Sequence, residues 1–217
     1  MRLGIIGAGH IGGNIARRAA LTGYDVTVSF ARDRAQLDAL AAEIGGTAGE
    51  PADAATADLV VLSVPWDAID VALAQAGSLA GWIVIDTTNQ FGRGAVASLH
   101  GQTAARHNAD RMPGAYYTKC FNTLTADFQA AAATRPADER VVQWISGDVP
   151  VATATVAGLV EAAGYVPVDL AGLDDCAVME APRRPGAVYG EEYRKGDADA
   201  VVAAVRAGQP IPPTPAY

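Results

Sequence analysis

Leu3-Gly4-Ile5-Ile6-Gly7-Ala8-Gly9-His10-Ile11-Gly12 opens the chain with a short apolar run, a glycine-rich turn and the start of a helical pattern that ends at Gly23. The spacing has a physical meaning. Gly7 permits the tight turn out of a strand, Gly9 lets the backbone approach a pyrophosphate, and Gly12 lets the following helix pack close to the sheet. The helix N-terminus then aims free N–H groups at an anion. Ala16, one turn beyond Gly12, keeps the same helix face small. Set between a strand and a helix, this pattern predicts a dinucleotide-binding loop.

Outward from this loop, strand and helix patterns alternate. Residues 2–7, 25–29, 58–64, 82–86, 115–120, 140–146 and 165–170 read as strands. Residues 10–22, 33–44, 66–76, 94–106 and 150–163 read as helices, the last opened by Pro150 with Asp148 as its expected cap. The alternation predicts an α/β fold: a doubly wound, mostly parallel, Rossmann-like sheet with a short C-terminal extension. Residues 1–173 form the expected NADP-binding domain including the acceptor cleft. Residues 174–217 form the extension, with a short helix over 197–206 and a proline-rich end, Gln209 to Tyr217. That end is expected to be extended and polyproline-like. It reads equally as a disordered tail or as an arm along a partner subunit or over the cleft.

Composition narrows the function classes. A net charge of −8 argues against nucleic acid, which needs a basic face. Half of the residues are hydrophobic, yet no apolar run reaches membrane-spanning length. The first strand pattern starts at Arg2, which leaves no room for a targeting segment, so a cytoplasmic protein is expected. Cys120 and Cys176 lie outside any metal-ligand or redox spacing and read as two reduced thiols. His100 and His107 are isolated, and no metal site is expected.

The end of the second strand bears on the choice of nicotinamide cofactor. A carboxylate there suits the ribose 2′-OH of NAD, and arginine accommodates the 2′-phosphate of NADP. Here the exit reads Ser29-Phe30-Ala31-Arg32-Asp33-Arg34, with no acid before Asp33. Ser29 offers a hydroxyl, and Arg32 and Arg34 offer planar guanidinium groups. NADP(H) is therefore the expected cofactor, with Asp33 capping the next helix or tempering the charge.

Other candidates lie where strands end, at the edge where open parallel sheets bind ligands. Ser63-Val64-Pro65-Trp66 ends the third strand; Trp66 either walls a ligand or packs under a helix. Asp86-Thr87-Thr88-Asn89 ends the fourth as a polar cluster. Lys119-Cys120-Phe121-Asn122 ends the fifth. Lys119 either donates a proton or pairs with a carboxylate such as Asp86, and with Asn122 it is the candidate for shaping an acceptor site.

The loop Gly7 to Gly12, the segment Val60-Val61-Leu62-Ser63-Val64-Pro65-Trp66 and the stretch Ser146-Gly147-Asp148 with its following helix resemble NADPH-dependent deazaflavin (coenzyme F-420) reductases. The cofactor domain is also similar to that of pyrroline-5-carboxylate reductases and STEAP metalloreductases. The resemblance spans about residues 1–170 and is looser in the substrate half. It implies that Ala8, Gly9, His10 and Ile11 line the phosphates. It implies Ala31, Arg32 and Arg34 at the 2′-phosphate, and Val64, Pro65, Trp66 and Ile69 along the nicotinamide. Gly7, Gly12, Ser29, Ser63, Asp86 and Thr87 complete the expected cofactor set. Phe121 stands where the archaeal reductases carry a histidine, a departure that bears on the acceptor. The implied activity is an NADP-dependent oxidoreductase passing hydride between NADPH and a planar small-molecule acceptor, foremost deazaflavin coenzyme F-420. The implied assembly is a homodimer. Reduction of a small imine or carbonyl is the rival activity, and a non-catalytic NADP-binding redox sensor is the rival from another class.

Overall fold

Leu59-Val60-Val61-Leu62 is buried along its whole length, and its side chains divide strictly between two cores. Val60 and Leu62 join one hydrophobic cluster, while Leu59 and Val61 join the other. A strand with period-two side chains can do this only when both sheet faces are covered. A computed structural model describes residues 1–92, 96 and 99–217. Its strands are β1 (Arg2–Ile6), β2 (Asp25–Ser29), β3 (Thr47–Ala48), β4 (Leu59–Leu62), β5 (Ile83–Asp86), β6 (Tyr116–Lys119), β7 (Val142–Gly147) and β8 (Val166–Ala171). Its helices are α1 (His10–Leu21), α2 (Arg34–Ile44), α3 (Pro51–Ala54), α4 (Ile69–Ala76), α5 (Ala104–Ala109), α6 (Ala126–Ala132), α7 (Pro150–Ala162) and α8 (Lys195–Arg206).

One sheet holds these strands in the order β3-β2-β1-β4-β5-β6-β7-β8. Pairing is parallel from β3 through β6, so the doubly wound, mostly parallel sheet expected from the alternation is present. The last two strands run the other way. β7 is antiparallel to β6, with Lys119 opposite Ser146, and β8 is parallel to β7. α6 lies on the connection that makes this reversal. The Gln129 side chain donates to the carbonyls of Phe121 and Leu124 at 2.9 Å each, holding α6 at the edge from which β6 leaves. The chain re-enters the sheet from that same edge.

Several local expectations need correction. The two-residue β3 and the helices α3 and α6 carry too few periodic positions to stand out in the sequence. The helix expected over 94–106 lies partly on residues 93–95 and 97–98, outside the described residues; of the remainder only α5 is helical. Asp148 does not cap α7, whose N-cap is Val149 without a side-chain bond. Its carboxylate instead accepts from Leu173 N at 2.9 Å and Arg106 Nη2 at 2.7 Å. Asp33 does cap α2, accepting from Ala35 N at 2.9 Å.

The residues beyond Asp174 feed the first cluster through Met179, Val188, Tyr193 and Val201. Arg206, at the end of α8, donates to the carbonyls of Asp169 and Leu170 on β8. The proline-rich end closes on its own chain: the Tyr217 hydroxyl accepts from Arg194 N at 3.0 Å and donates to Asp197. The Arg194 guanidinium lies 4.3 Å from the Tyr217 ring centroid. Among the described residues no helix is long and apolar enough to cross a membrane.

Between β5, β6 and α5 lies a fully buried polar knot. One Asp86 oxygen accepts from Thr88 N at 2.7 Å. The other accepts from Asn108 Nδ2 at 2.8 Å and from the Tyr117 hydroxyl, with Lys119 Nζ 3.5 Å away. Lys119 also donates to Thr88 O at 2.8 Å. Burial and the adjacent Asp86 charge push the Tyr117 hydroxyl well above its ordinary pKa, so it stays a donor. Removing one partner of a buried pair strands the other. Lys119→Met is therefore expected to cost about 3–5 kcal/mol in denaturant unfolding. Adding Asp86→Asn should recover part of that loss; full additivity of the two costs would refute the coupling.

Candidate functional site

The site begins where β1 ends. Gly7 adopts φ +107°, and a Cβ there would lie 2.3 Å from Ser63 O, so only glycine fits. Gly7 N and Ala8 N both donate to Ser29 O, at 3.0 and 3.2 Å. That pair of bonds fixes the turn and leads into α1. The helix opens at Gly9 with no side-chain cap and no acidic residue in its first turn. Its first N–H groups thus face outward with the positive end of the helix dipole behind them. A Cβ on Gly9 would meet no protein atom within 4 Å, whereas one on Gly12 would lie 2.1 Å from Gly7 O. Gly12 is the close-packing residue, and Gly9 fronts open space of the kind a pyrophosphate needs.

A groove of about 880 Å³ runs from this turn to the exit of β2. Its far end carries Ala31, Arg32, Arg34 and Glu50. Arg34 is engaged, bonding Asp38 at 2.8 Å and lying 3.6 Å from Glu50. Arg32 is exposed and has no hydrogen-bond or ion-pair partner among the described residues. It is the cation available for a phosphate. Phe30, which turns the chain here at φ +55°, also lines the groove.

A second compartment of about 410 Å³ shares Gly9, His10, Ser63, Val64 and Pro65 with the groove. It adds Ile11, Trp66, Thr87, Thr88, Asn89 and Phe91. His10 is the only ionisable side chain among the described residues lining it. Trp66 serves both roles open to it: it lines the compartment and packs partly against the first core cluster. His107 stacks on the indole at 5.8 Å between centroids, and the Arg111 guanidinium lies 5.7 Å from the ring.

Four expected site residues are placed elsewhere. Ser29 is fully buried and its hydroxyl donates to Ile5 O at 2.9 Å, so it holds β2 to β1 and does not face the groove. Ile69 is fully buried in the first core cluster because the turn after Trp66 points it inward. Asp86 and Lys119 are fully buried in the polar knot and line neither compartment. Of the two readings of Lys119, pairing with Asp86 is the one its position supports.

Asn122 is also buried and acts at one remove. Its side chain donates to Asn89 Oδ1 at 3.1 Å and Met179 O at 2.7 Å, while Asn89 Nδ2 returns a bond to Asn122 O at 2.8 Å. Phe121 packs edge-on against Tyr165 at 6.0 Å and lines neither compartment. Both cysteines are buried, and burial pushes their thiols above the ordinary range, which removes them as nucleophiles. Sequence reasoning missed Phe30, Glu50 and Phe91. The signal for the last was available: an aromatic residue just past a strand-end polar cluster.

Residues 2–90 match the family described as NADP oxidoreductase, coenzyme F420-dependent. A hypothetical protein of Sinorhizobium meliloti is 30% identical, with 90% of this chain and 95% of that one covered at a TM-score of 0.79. Over residues 2–90 the chain thus carries the sequence pattern of this NADP oxidoreductase family. An Arthrobacter sp. FB24 protein described as an F420-dependent NADP-reductase is 25% identical over 82% of this chain and 87% of its own, with a TM-score of 0.71. Metalloreductase STEAP3 of Rattus norvegicus is 24% identical over 180 residues, 83% of this chain. The chain spans 36% of the length of that curated relative.

Two substitutions test the geometry. Gly9→Val should fold normally by circular dichroism, since a Cβ there meets no protein atom within 4 Å, yet lose NADPH binding in calorimetric titration. Retained affinity in the folded variant would place the cofactor elsewhere. Arg32→Ala should weaken NADPH by at least about tenfold, roughly 1.4 kcal/mol, and leave NADH nearly unchanged. Equal loss for both nucleotides would remove Arg32 from a 2′-phosphate role.

Proposed function

We propose that the protein reduces a flat two-electron acceptor with NADPH, the deazaflavin coenzyme F-420 being the acceptor that fits best. The observation that carries this reading is the shared wall of the two compartments. Gly9, His10, Ser63, Val64 and Pro65 belong to both, so a cofactor lying along the groove would present its nicotinamide at the mouth of the second compartment. The backbone of Gly9, His10 and Ile11 would bind the pyrophosphate at the uncapped end of α1, and Ala31 and Arg32 would take the 2′-phosphate with Arg34 beside them. Val64, Pro65 and Trp66 would flank the nicotinamide, with Ser63 and Thr87 at its edge. Bound NADPH supplies the hydride.

What the chain would contribute is orientation, presenting the nicotinamide and the acceptor ring to each other. A deazaflavin suits a compartment with so few ionisable walls, because direct hydride transfer needs no positioned general acid. Reduction of a carbonyl or imine gains more from one. Lys119, the candidate donor for that chemistry, is sealed in the polar knot.

Mixing the protein with NADPH and oxidised coenzyme F-420 should bleach the visible absorbance of the deazaflavin at a rate proportional to enzyme. A panel of small cyclic imines and ketones should be turned over at least about a hundredfold more slowly, the scale of a missing general acid. Fast imine turnover without deazaflavin bleaching would overturn the proposal in favour of an imine reductase. NADPH binding without turnover of any acceptor would favour a redox sensor.

A further inference from the structure

The second compartment contains two large aromatic side chains, Trp66 and Phe91, that come from different strand exits. Phe91 is 49% exposed, so its ring is accessible from the compartment. Each ring has a brace outside the compartment. Trp66 is stacked on His107, and Arg111, which is tied to Asp70 and Asn108, lies over its ring. Phe91 meets Tyr189, from the C-terminal extension, at 6.4 Å between centroids. The extension is itself anchored there, Gly190 N donating to Thr123 O at 2.8 Å.

Of the polar residues of the same compartment, Thr87, Thr88 and Asn89 are already engaged, and His10 is exposed at its rim. The Thr87 hydroxyl donates to Ser63 Oγ at 3.0 Å, and the Thr88 hydroxyl accepts from Asn108 at 3.2 Å. Asn89 exchanges bonds with Asn122 and accepts from Ala181 N at 3.3 Å. A substrate recognised mainly through hydrogen bonds would compete for the Thr87 hydroxyl and the Asn89 amide, which tie strand exits together. Stacking on aromatic faces competes for neither. Trp and Phe gain from a parallel, offset π-partner.

We infer that Trp66 and Phe91 are the specificity-determining walls of the acceptor site. They select a flat conjugated ring system by stacking, with His107 and Tyr189 as positioning residues. The inference rests on the acceptor compartment proposed above and deepens it, assigning the acceptor class to extended planar rings rather than compact imines or ketones. It also gives the C-terminal extension a role at the site: Tyr189 sets the position of Phe91.

The test reads equilibrium binding, not turnover. Quenching of ring fluorescence is titrated with two probes, oxidised coenzyme F-420 and riboflavin, on enzyme saturated with NADP+. Phe91→Leu keeps the apolar character of the site and removes the π-face. It should weaken both ring probes about three- to tenfold, and Phe91→Tyr should restore them. Tyr189→Ala should weaken them in the same direction by less. The NADPH Kd of each variant is the folding control, because Phe91 and Tyr189 lie outside the larger groove. Unchanged affinity for both rings in Phe91→Leu would overturn the inference. So would loss in Phe91→Tyr equal to that in Phe91→Leu. Binding of riboflavin but not coenzyme F-420, with the same variant pattern, would uphold the aromatic walls while removing deazaflavin as the acceptor. If wild-type protein binds neither ring, the aromatic assignment falls whatever its turnover of imines.

Discussion

The carboxylate of Asp86 is the constraint on which the ligand edge of the sheet depends. It ends β5 with no exposure to solvent, and four donors from β6, α5 and its own chain converge on it. A buried charge is tolerable only when its oxygens are occupied. Satisfying it therefore dictates where Tyr117, Asn108 and Lys119 must be. Those positions in turn set the exit of β5. Lys119 holds Thr88 O, and Asn108 bonds the Thr88 hydroxyl. The polar floor of the second compartment is thus an outgrowth of the knot beneath it.

A second buried carboxylate extends this arrangement into the C-terminal part of the chain. Glu180 accepts from Ala104 N and Ala105 N, both at 2.7 Å, at the start of α5. A carboxylate at a helix N-terminus satisfies orphan donors and meets the favourable end of the dipole. α5 carries Asn108 into the knot and His107 to Trp66. The extension therefore takes part in positioning the cleft, through Glu180 at one point and through Met179 and Ala181, which bond Asn122 and Asn89, at others.

The cofactor half was legible in the sequence because its constraints are local. Gly7, Gly9 and Gly12 act within one turn of backbone, and Arg32 follows directly from the end of β2. The buried run 59–62 announces a central strand by composition alone. The acceptor half was not legible in the same way. Whether Lys119 meets solvent or Asp86 depends on α5 and on the pairing of β5 with β6, neither of which is encoded near residue 119. Ser29 looked like a phosphate ligand by position, but the pleat turns its hydroxyl toward β1. The reversal of β7 was hidden because a strand's own residues do not state its direction. On the connection between β6 and β7, Gln129 ties α6 to carbonyls eight and five residues earlier.

The two flanks of the sheet bear on how the protein behaves at high concentration. A long bare edge strand offers a row of unpaired N–H and C=O groups that templates aggregation. At one flank β3 has only two residues, too few to seed a ladder with another molecule. At the other, the Arg206 guanidinium occupies the carbonyls of Asp169 and Leu170. Both flanks are thereby blunted by different means, one by brevity and one by a charged plug. Colloidal stability in this chain depends on those two features as well as on its net negative charge.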